Sequence, residues 1–265
     1  MSEHSGRYAR LATALRRRGD AVYAPDHRGH GRTGKSTGVG RTGPSGFDGV
    51  LGDIARLAEI ARTDAGARPV VLFGHSMGSL IAQAYAQRHG ASLAALALSG
   101  SPGAGGALDE MTDGIRQALE AGLGEEPVPA LAPFNAAFEP ARTPFDWLSR
   151  DPAEVDAYIA DPFCGDANPM TFGFIAELMK IAAPAMEPAA IAQIPARLAI
   201  LLLTGEADPV SNGGANVRVL EQRMRDAGKR VDAIYYPGAR HEVLNETNRD
   251  QVERDLLAWI DRVAN

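Results

Sequence analysis

Two periods of apolar residues alternate along this chain. Tyr8, Leu11, Ala12 and Leu15 recur at helical spacing until Gly19 stops them, and residues 21–24 (Ala-Val-Tyr-Ala) make a short run that predicts a strand. Val50, Leu51, Ile54 and Leu57 draw a second helical stripe across residues 47–60. Residues 69–73 then read as a buried strand, Leu80, Ile81, Ala84 and Tyr85 as a helix ending at Gly90, and residues 93–98 as another strand. From Leu198 the order strand, helix, strand, helix resumes, with strands at 198–203 and 231–236 and a last helix carrying Val252, Leu256, Trp259 and Ile260. Such alternation predicts an α/β fold: a mostly parallel sheet with helices on both faces. Between about 103 and 195 it breaks into proline-rich sequence with short helical pieces. The expected division is therefore a first core part at 1–102, a helical insertion at 103–195 and a second core part at 196–265.

Residues Gly74-His75-Ser76-Met77-Gly78 stand between a predicted strand and a predicted helix and fit the pattern G-x-S-x-G. A serine in that place is forced into a tight turn, so its hydroxyl stands clear of the backbone, and the flanking glycines leave room for neighbours. A serine hydroxyl is a poor nucleophile until a base takes its proton, and the base needs an acid to orient it. Asp208 follows one predicted strand and His241 another. In an open parallel sheet the strands' carboxyl ends converge on one crevice, which would bring Ser76, Asp208 and His241 together. Glu206 is a rival for the acid. His4, His27, His30 and His75 lie in predicted loops and His89 ends a helix, so a loop histidine alone decides nothing.

With these residues in view, the chain resembles the α/β-hydrolases of the monoacylglycerol lipase and lysophospholipase type, a serine aminopeptidase-like group. Likeness runs nearly end to end. It is carried by Glu3-His4-Ser5-Gly6-Arg7-Tyr8, Asp26-His27-Arg28-Gly29-His30-Gly31, the 74–78 motif, Gly205-Glu206-Ala207-Asp208-Pro209-Val210 and Gly238-Ala239-Arg240-His241-Glu242-Val243-Leu244-Asn245-Glu246. The resemblance implies Ser76 as nucleophile, Asp208 as acid, His241 as base, the Met77 N–H as one oxyanion donor and 103–195 as a cap. It also implies a His-Gly turn and three strands ahead of the first block. Here Met1 falls at the position of the second oxyanion donor, so the first strands are expected to be missing and Met1 to be internal to a longer protein. The implied activity is cleavage of carboxylic esters of single-chain lipids by an acyl-enzyme route, with no metal or organic cofactor. A thioesterase, an amidase or peptidase, an acyltransferase or an inactive binding remnant would share the triad.

Composition narrows the partners. A net charge of −6 argues against nucleic acid, and no apolar run of 18 residues is present to span a membrane. One cysteine, Cys164, excludes an internal disulfide and fits a reducing, cytoplasmic setting. Cys164 is expected to be packed within the insertion rather than to act as a second nucleophile. Six of the eight phenylalanines, at 134, 138, 145, 163, 172 and 174, fall in the insertion together with Trp147. Most should form its own small core, and any apolar surplus facing Ser76 would suit an acyl chain or a transient contact with a lipid surface. Finally, Gly29-His30-Gly31-Arg32-Thr33-Gly34-Lys35-Ser36 spells a phosphate-binding loop, G-x-x-x-x-G-K-[ST]. The glycines and proline of residues 37–44 cannot start the helix that such a loop needs, so nucleotide binding is not expected.

Overall fold

Four apolar runs pair into one sheet in the order β1 (Val71–His75), β2 (Ala95–Ser99), β3 (Ala199–Gly205) and β4 (Arg230–Tyr236), each parallel to its neighbour. The structure, a computed structural model, describes residues 1–66, 68–128 and 132–264. All residues of β2 and β3 are buried, as expected of parallel strands covered on both faces, whereas β1 and β4 stand at the edges and are only partly buried. Register aligns His75 with Ser99 and Ser99 with Leu203, so the strands leave the sheet together at one end.

Helices follow as α1 (Ala9–Arg17), α2 (Gly31–Thr37), α3 (Gly46–Ala65), α4 (Met77–His89), α5 (Gly106–Glu120), α6 (Pro152–Ala160), α7 (Phe172–Ala185), α8 (Pro188–Ile191), α9 (Ala215–Asp226) and α10 (Arg249–Ala264). Leu80, Ile81, Ala84 and Tyr85 are buried on α4, which packs on β1 and β2. Val217, Leu220 and Met224 bury the inner face of α9, which packs on β3 and β4, and α10 buries Val252, Leu256 and Trp259. The predicted α/β architecture is therefore present.

Two compact units make up the chain. One comprises Met1–Arg68, Gly114–Ala130 and Tyr158–Met179; the other comprises Pro69–Asp113, Leu131–Ala157 and Lys180–Asn265 and holds the whole sheet. The stretch 103–195 thus contributes to both, and α5, α6 and α7 each cross from one to the other. In the first unit the Tyr158 hydroxyl donates to Ser2 O at 2.9 Å, and Phe174 packs on Phe47 and His30. Cys164 is buried there, as expected.

One predicted strand is corrected. Residues 21–24 join no ladder, and Ala21, Tyr23 and Ala24 are exposed. A strand exists only through its partners, and among the described residues the first unit offers none beyond the isolated bridge of Pro127 with Thr171. A second finding concerns the phosphate-loop look-alike. Its residues from Gly31 on are themselves helical, as α2, and the next helix begins only at Gly46. Asp26 holds that turn, accepting from the Arg32 N–H at 2.8 Å, while its own carbonyl accepts from Thr33 Oγ1 at 3.0 Å.

Candidate active site

The exit of β1 runs into α4 through Ser76, whose φ of 52° and ψ of −120° are costly for any residue but glycine. Neighbours over-determine that turn. The Ser76 N–H donates to Ser99 O at 2.9 Å, and the Ser76 carbonyl accepts from the Ser79 N–H at 2.9 Å and the Ser79 hydroxyl at 2.6 Å. A Cβ on Gly74 would lie 2.2 Å from Gly78 O, so only glycine lets the strand fold back this closely on the helix. Gly78 is different, with nothing within 4 Å of a Cβ added there. Met77 is the first residue of α4, where an N–H has no partner within the helix.

Asp208 lies just beyond β3 and is fully buried. Its Oδ1 accepts from the Val210 N–H at 2.9 Å, and both carboxylate oxygens stand 3.1 Å from Nδ1 of His241. His241 follows β4, is 2 % exposed and lies with its ring centroid 4.8 Å from that of His75, the residue before Ser76. The loops come this close because of two more glycines. A Cβ on Gly205 would meet Ala239 O at 2.1 Å, and one on Gly100 would meet His241 O at 2.9 Å and His75 Cε1 at 2.7 Å. Ser76, Met77, Asp208 and His241 all belong to the sheet-bearing unit, whereas Met1 belongs to the other.

Glu206, the rival acid, turns away to Arg218, whose Nη2 donates to it at 2.9 Å. Three of the remaining histidines are occupied elsewhere. His4 meets Asp161 at 2.9 Å, His89 packs beside Tyr85, and buried His30 has Nδ1 3.1 Å from Arg28 O. Burial pushes the His30 pKa down to about 3, so this ring is neutral at ordinary pH. His4, Asp161 and Cys164 offer donor atoms within 4.8 Å of one another. Nε2 of His4 faces Asp161, and its Nδ1 accepts from the Gly6 N–H at 3.2 Å, so the ring is satisfied within the chain.

Sequence reasoning missed the support of the His241 loop. Glu246, fully buried, accepts on Oε1 from the N–H groups of Arg240 at 2.9 Å and Arg150 at 3.0 Å. Its Oε2 accepts from Arg150 Nε at 2.8 Å and the Thr247 N–H at 2.9 Å. The Arg240 guanidinium lies 4.1 Å over the Phe138 ring and donates to the carbonyls of Asp146 and Ser149. Trp147 stands with its ring 5.1 Å from that of His241. Glu246 was visible as part of a family-like block, but nothing local to the sequence joins it to Arg150.

A strained serine turn at the exit of β1 and a buried Asp–His pair beyond β3 and β4 thus lie at one end of the sheet. The model of the Hydrolase_4 family (serine aminopeptidase, S33) matches residues 1–248. The chain belongs to this family. The monoacylglycerol lipase of Mycolicibacterium smegmatis is 32% identical to it over 262 residues, spanning 98% of this chain and 84% of the relative. Human monoglyceride lipase is 26% identical over 264 residues, spanning 98% and 79%. Of solved structures, a thermostable carboxyl esterase from Bacillus coagulans superposes with a TM-score of 0.91 at 29% identity, covering 100% of this chain and 88% of that one. Among the described residues no helix of this Hydrolase_4 member is long and apolar enough to cross a membrane.

Proposed function

We propose that this chain is a serine hydrolase that cleaves carboxylic esters of single-chain lipids, monoacylglycerols foremost. The observation that carries the reading is the fully buried Asp208 bonded to Nδ1 of His241, on loops that meet the elbow of Ser76. Bonding at Nδ1 leaves Nε2 of His241 as the basic nitrogen. That nitrogen takes the Ser76 proton as Oγ attacks the ester carbonyl, and Asp208 fixes the tautomer and steadies the imidazolium. The Met77 N–H, at the start of α4, receives the developing oxyanion. His241 then protonates the departing alcohol, activates water and releases the fatty acid. Apolar substrate is supported by the names of the relatives and by the phenylalanine-rich insertion. Exposed Leu119 and Leu123, near the end of α5, offer a place for that insertion to touch a lipid surface.

Labelling with a fluorophosphonate probe tests the triad without assuming a substrate. Wild type is expected to label and to hydrolyse monoacylglycerol. Ser76→Ala and His241→Ala are each expected to lose labelling and at least about 10⁴-fold in kcat. Retained turnover in either variant would remove the assignment. Thioesterase and amidase readings share these residues. They are separated by comparing kcat/KM on acyl esters, acyl thioesters and amino-acid anilides, with the esters expected to lead.

A further inference from the structure

The segment Asp146–Arg150, carried by the insertion, is bound to the loop that presents His241. The His241 N–H donates to Trp147 O at 3.4 Å, the Glu242 N–H to Leu148 O at 2.8 Å, and Ser149 Oγ to Asn245 O at 2.7 Å. Trp147 itself is held by its backbone N–H, which donates to Asn135 Oδ1 at 3.0 Å, and by the Phe134 ring at 5.3 Å. Its indole is thereby set against the His241 imidazole, with ring centroids 5.1 Å apart and planes tilted by 41°. Both residues are buried, so water does little to screen one ring from the other. The indole N–H has no hydrogen-bond partner among the described residues, so the contact is ring with ring and not through that donor. His75 also lies beside His241, but as a second imidazole; indole has the stronger negative face.

We infer that Trp147 is a positioning residue that acts through His241, its indole π-system steadying the imidazolium that forms when Ser76 gives up its proton. This rests on the assignment of His241 as the base. In the resting enzyme the imidazole is neutral, with Nδ1 facing the Asp208 carboxylate at 3.1 Å. As Oγ of Ser76 attacks the ester carbonyl, its proton passes to Nε2 and the ring takes on a full positive charge. That charge is gone once Nε2 has handed the proton to the departing alcohol. A tryptophan attracts a cation that lies within roughly 6 Å of its ring centroid, and more strongly where both are shut off from water. A neutral ring gains far less from the same contact. The interaction therefore strengthens between the resting state and the transition state, which raises kcat without tightening the binding of substrate. A leucine of similar reach would fill the space and supply none of this.

Tryptophan occurs only at 147 and 259, and Trp259 donates its indole N–H to Asp232 at 2.8 Å. Replacing tryptophan throughout by singly, doubly and triply fluorinated analogues drains negative charge from the indole face and leaves its shape nearly unchanged. In otherwise wild-type protein, kcat on a monoacylglycerol and the rate of fluorophosphonate labelling are expected to fall stepwise with each fluorine. The fall should reach up to about tenfold across the series, with KM staying within about twofold. In Trp147→Phe protein, where Trp259 alone carries the analogue, the same series should be flat. Unlabelled Trp147→Phe should be slower than wild type and Trp147→Leu slower again, by about two- to thirtyfold in all. Rates that hold constant along the fluorinated series overturn the proposal, since a ring that merely packs keeps its shape throughout. So does an equal decline in the Trp147→Phe protein. Ser76→Ala is run beside them: if it labelled and turned over like wild type, the triad reading would fail instead.

Discussion

Gly74 and Gly78 flank the same serine in one five-residue motif, yet their surroundings differ completely. A methyl group on Gly74 would meet a backbone oxygen at 2.2 Å, and the backbone there is the elbow itself. Gly74→Ala is therefore expected to cost about 1–3 kcal/mol in urea unfolding and to lower kcat with it, because relief can come only by opening the turn that presents Ser76. Gly78 has open space around its Cα and lies in α4 with an ordinary backbone. Gly78→Ala should stabilise the protein by up to about 1 kcal/mol, read as a Tm gain of about 2–4 °C, since alanine loses less backbone entropy in a helix. If the two variants shifted Tm in the same direction, the motif's glycines would not differ in the way their contacts indicate.

Helices and strands were legible wherever their cause is local. The stripes of α1, α3, α4 and α10 and the apolar runs of β1 to β4 each announce themselves within a dozen residues. Residues 21–24 look like a strand and are not one, because pairing is a property of two segments rather than one. Helix α2 was hidden for the opposite reason: glycines, serine and threonines are poor helix formers, and bonds to Asp26 hold the turn in their stead. In the candidate site, Ser76, Asp208 and His241 were readable from strand exits. The strap that seats His241 was not, since Arg150 and Glu246 meet across 96 residues of chain. That strap can be broken at one point. Glu246→Ala orphans the N–H groups of Arg240, Arg150 and Thr247 and leaves the Arg150 guanidinium only Asn248 Oδ1 of its two side-chain partners. An unfolding loss on the order of 3 kcal/mol is expected, with a fall in kcat as the residue next to His241 comes loose. Glu246→Gln, which keeps an acceptor, should recover part of both. An Ala variant with wild-type kcat would show that the His241 loop holds its place without this anchor.

At the scale of the whole molecule, pH acts on stability through groups that folding moves away from their ordinary pKa. His30 is buried, its Nδ1 bonded to Arg28 O and its Nε2 without a partner among the described residues, an arrangement that suits a neutral ring. Desolvation pushes its pKa down to about 3, and burial likewise lowers that of His27 against the opposing pull of Asp53 and Asp26. In the unfolded chain these rings titrate near 6.5. Unfolding therefore takes up protons once the pH drops below that value, and stability falls with pH down to the folded pKa. Carboxylates act lower. Asp151 is held down by its bond to Arg249, and Asp26, though burial opposes it, by the N–H groups of Ser5 and Arg32. Their contribution is present above the unfolded carboxylate range and is lost only as pH falls through their lowered values, leaving the window from 6.5 to 5 to the histidines. Between pH 7.5 and 5.0, His30 alone should take away about 2 kcal/mol of unfolding free energy, at about 1.4 kcal/mol per pH unit below 6.5. Urea unfolding at the two pH values, on wild type and His30→Gln, isolates that share. Glutamine can keep the donor to Arg28 O but does not titrate, so the variant should lose about 2 kcal/mol less than wild type across the same interval. Equal losses in the two proteins would mean that His30 binds its proton as readily folded as unfolded, against the desolvation its burial implies.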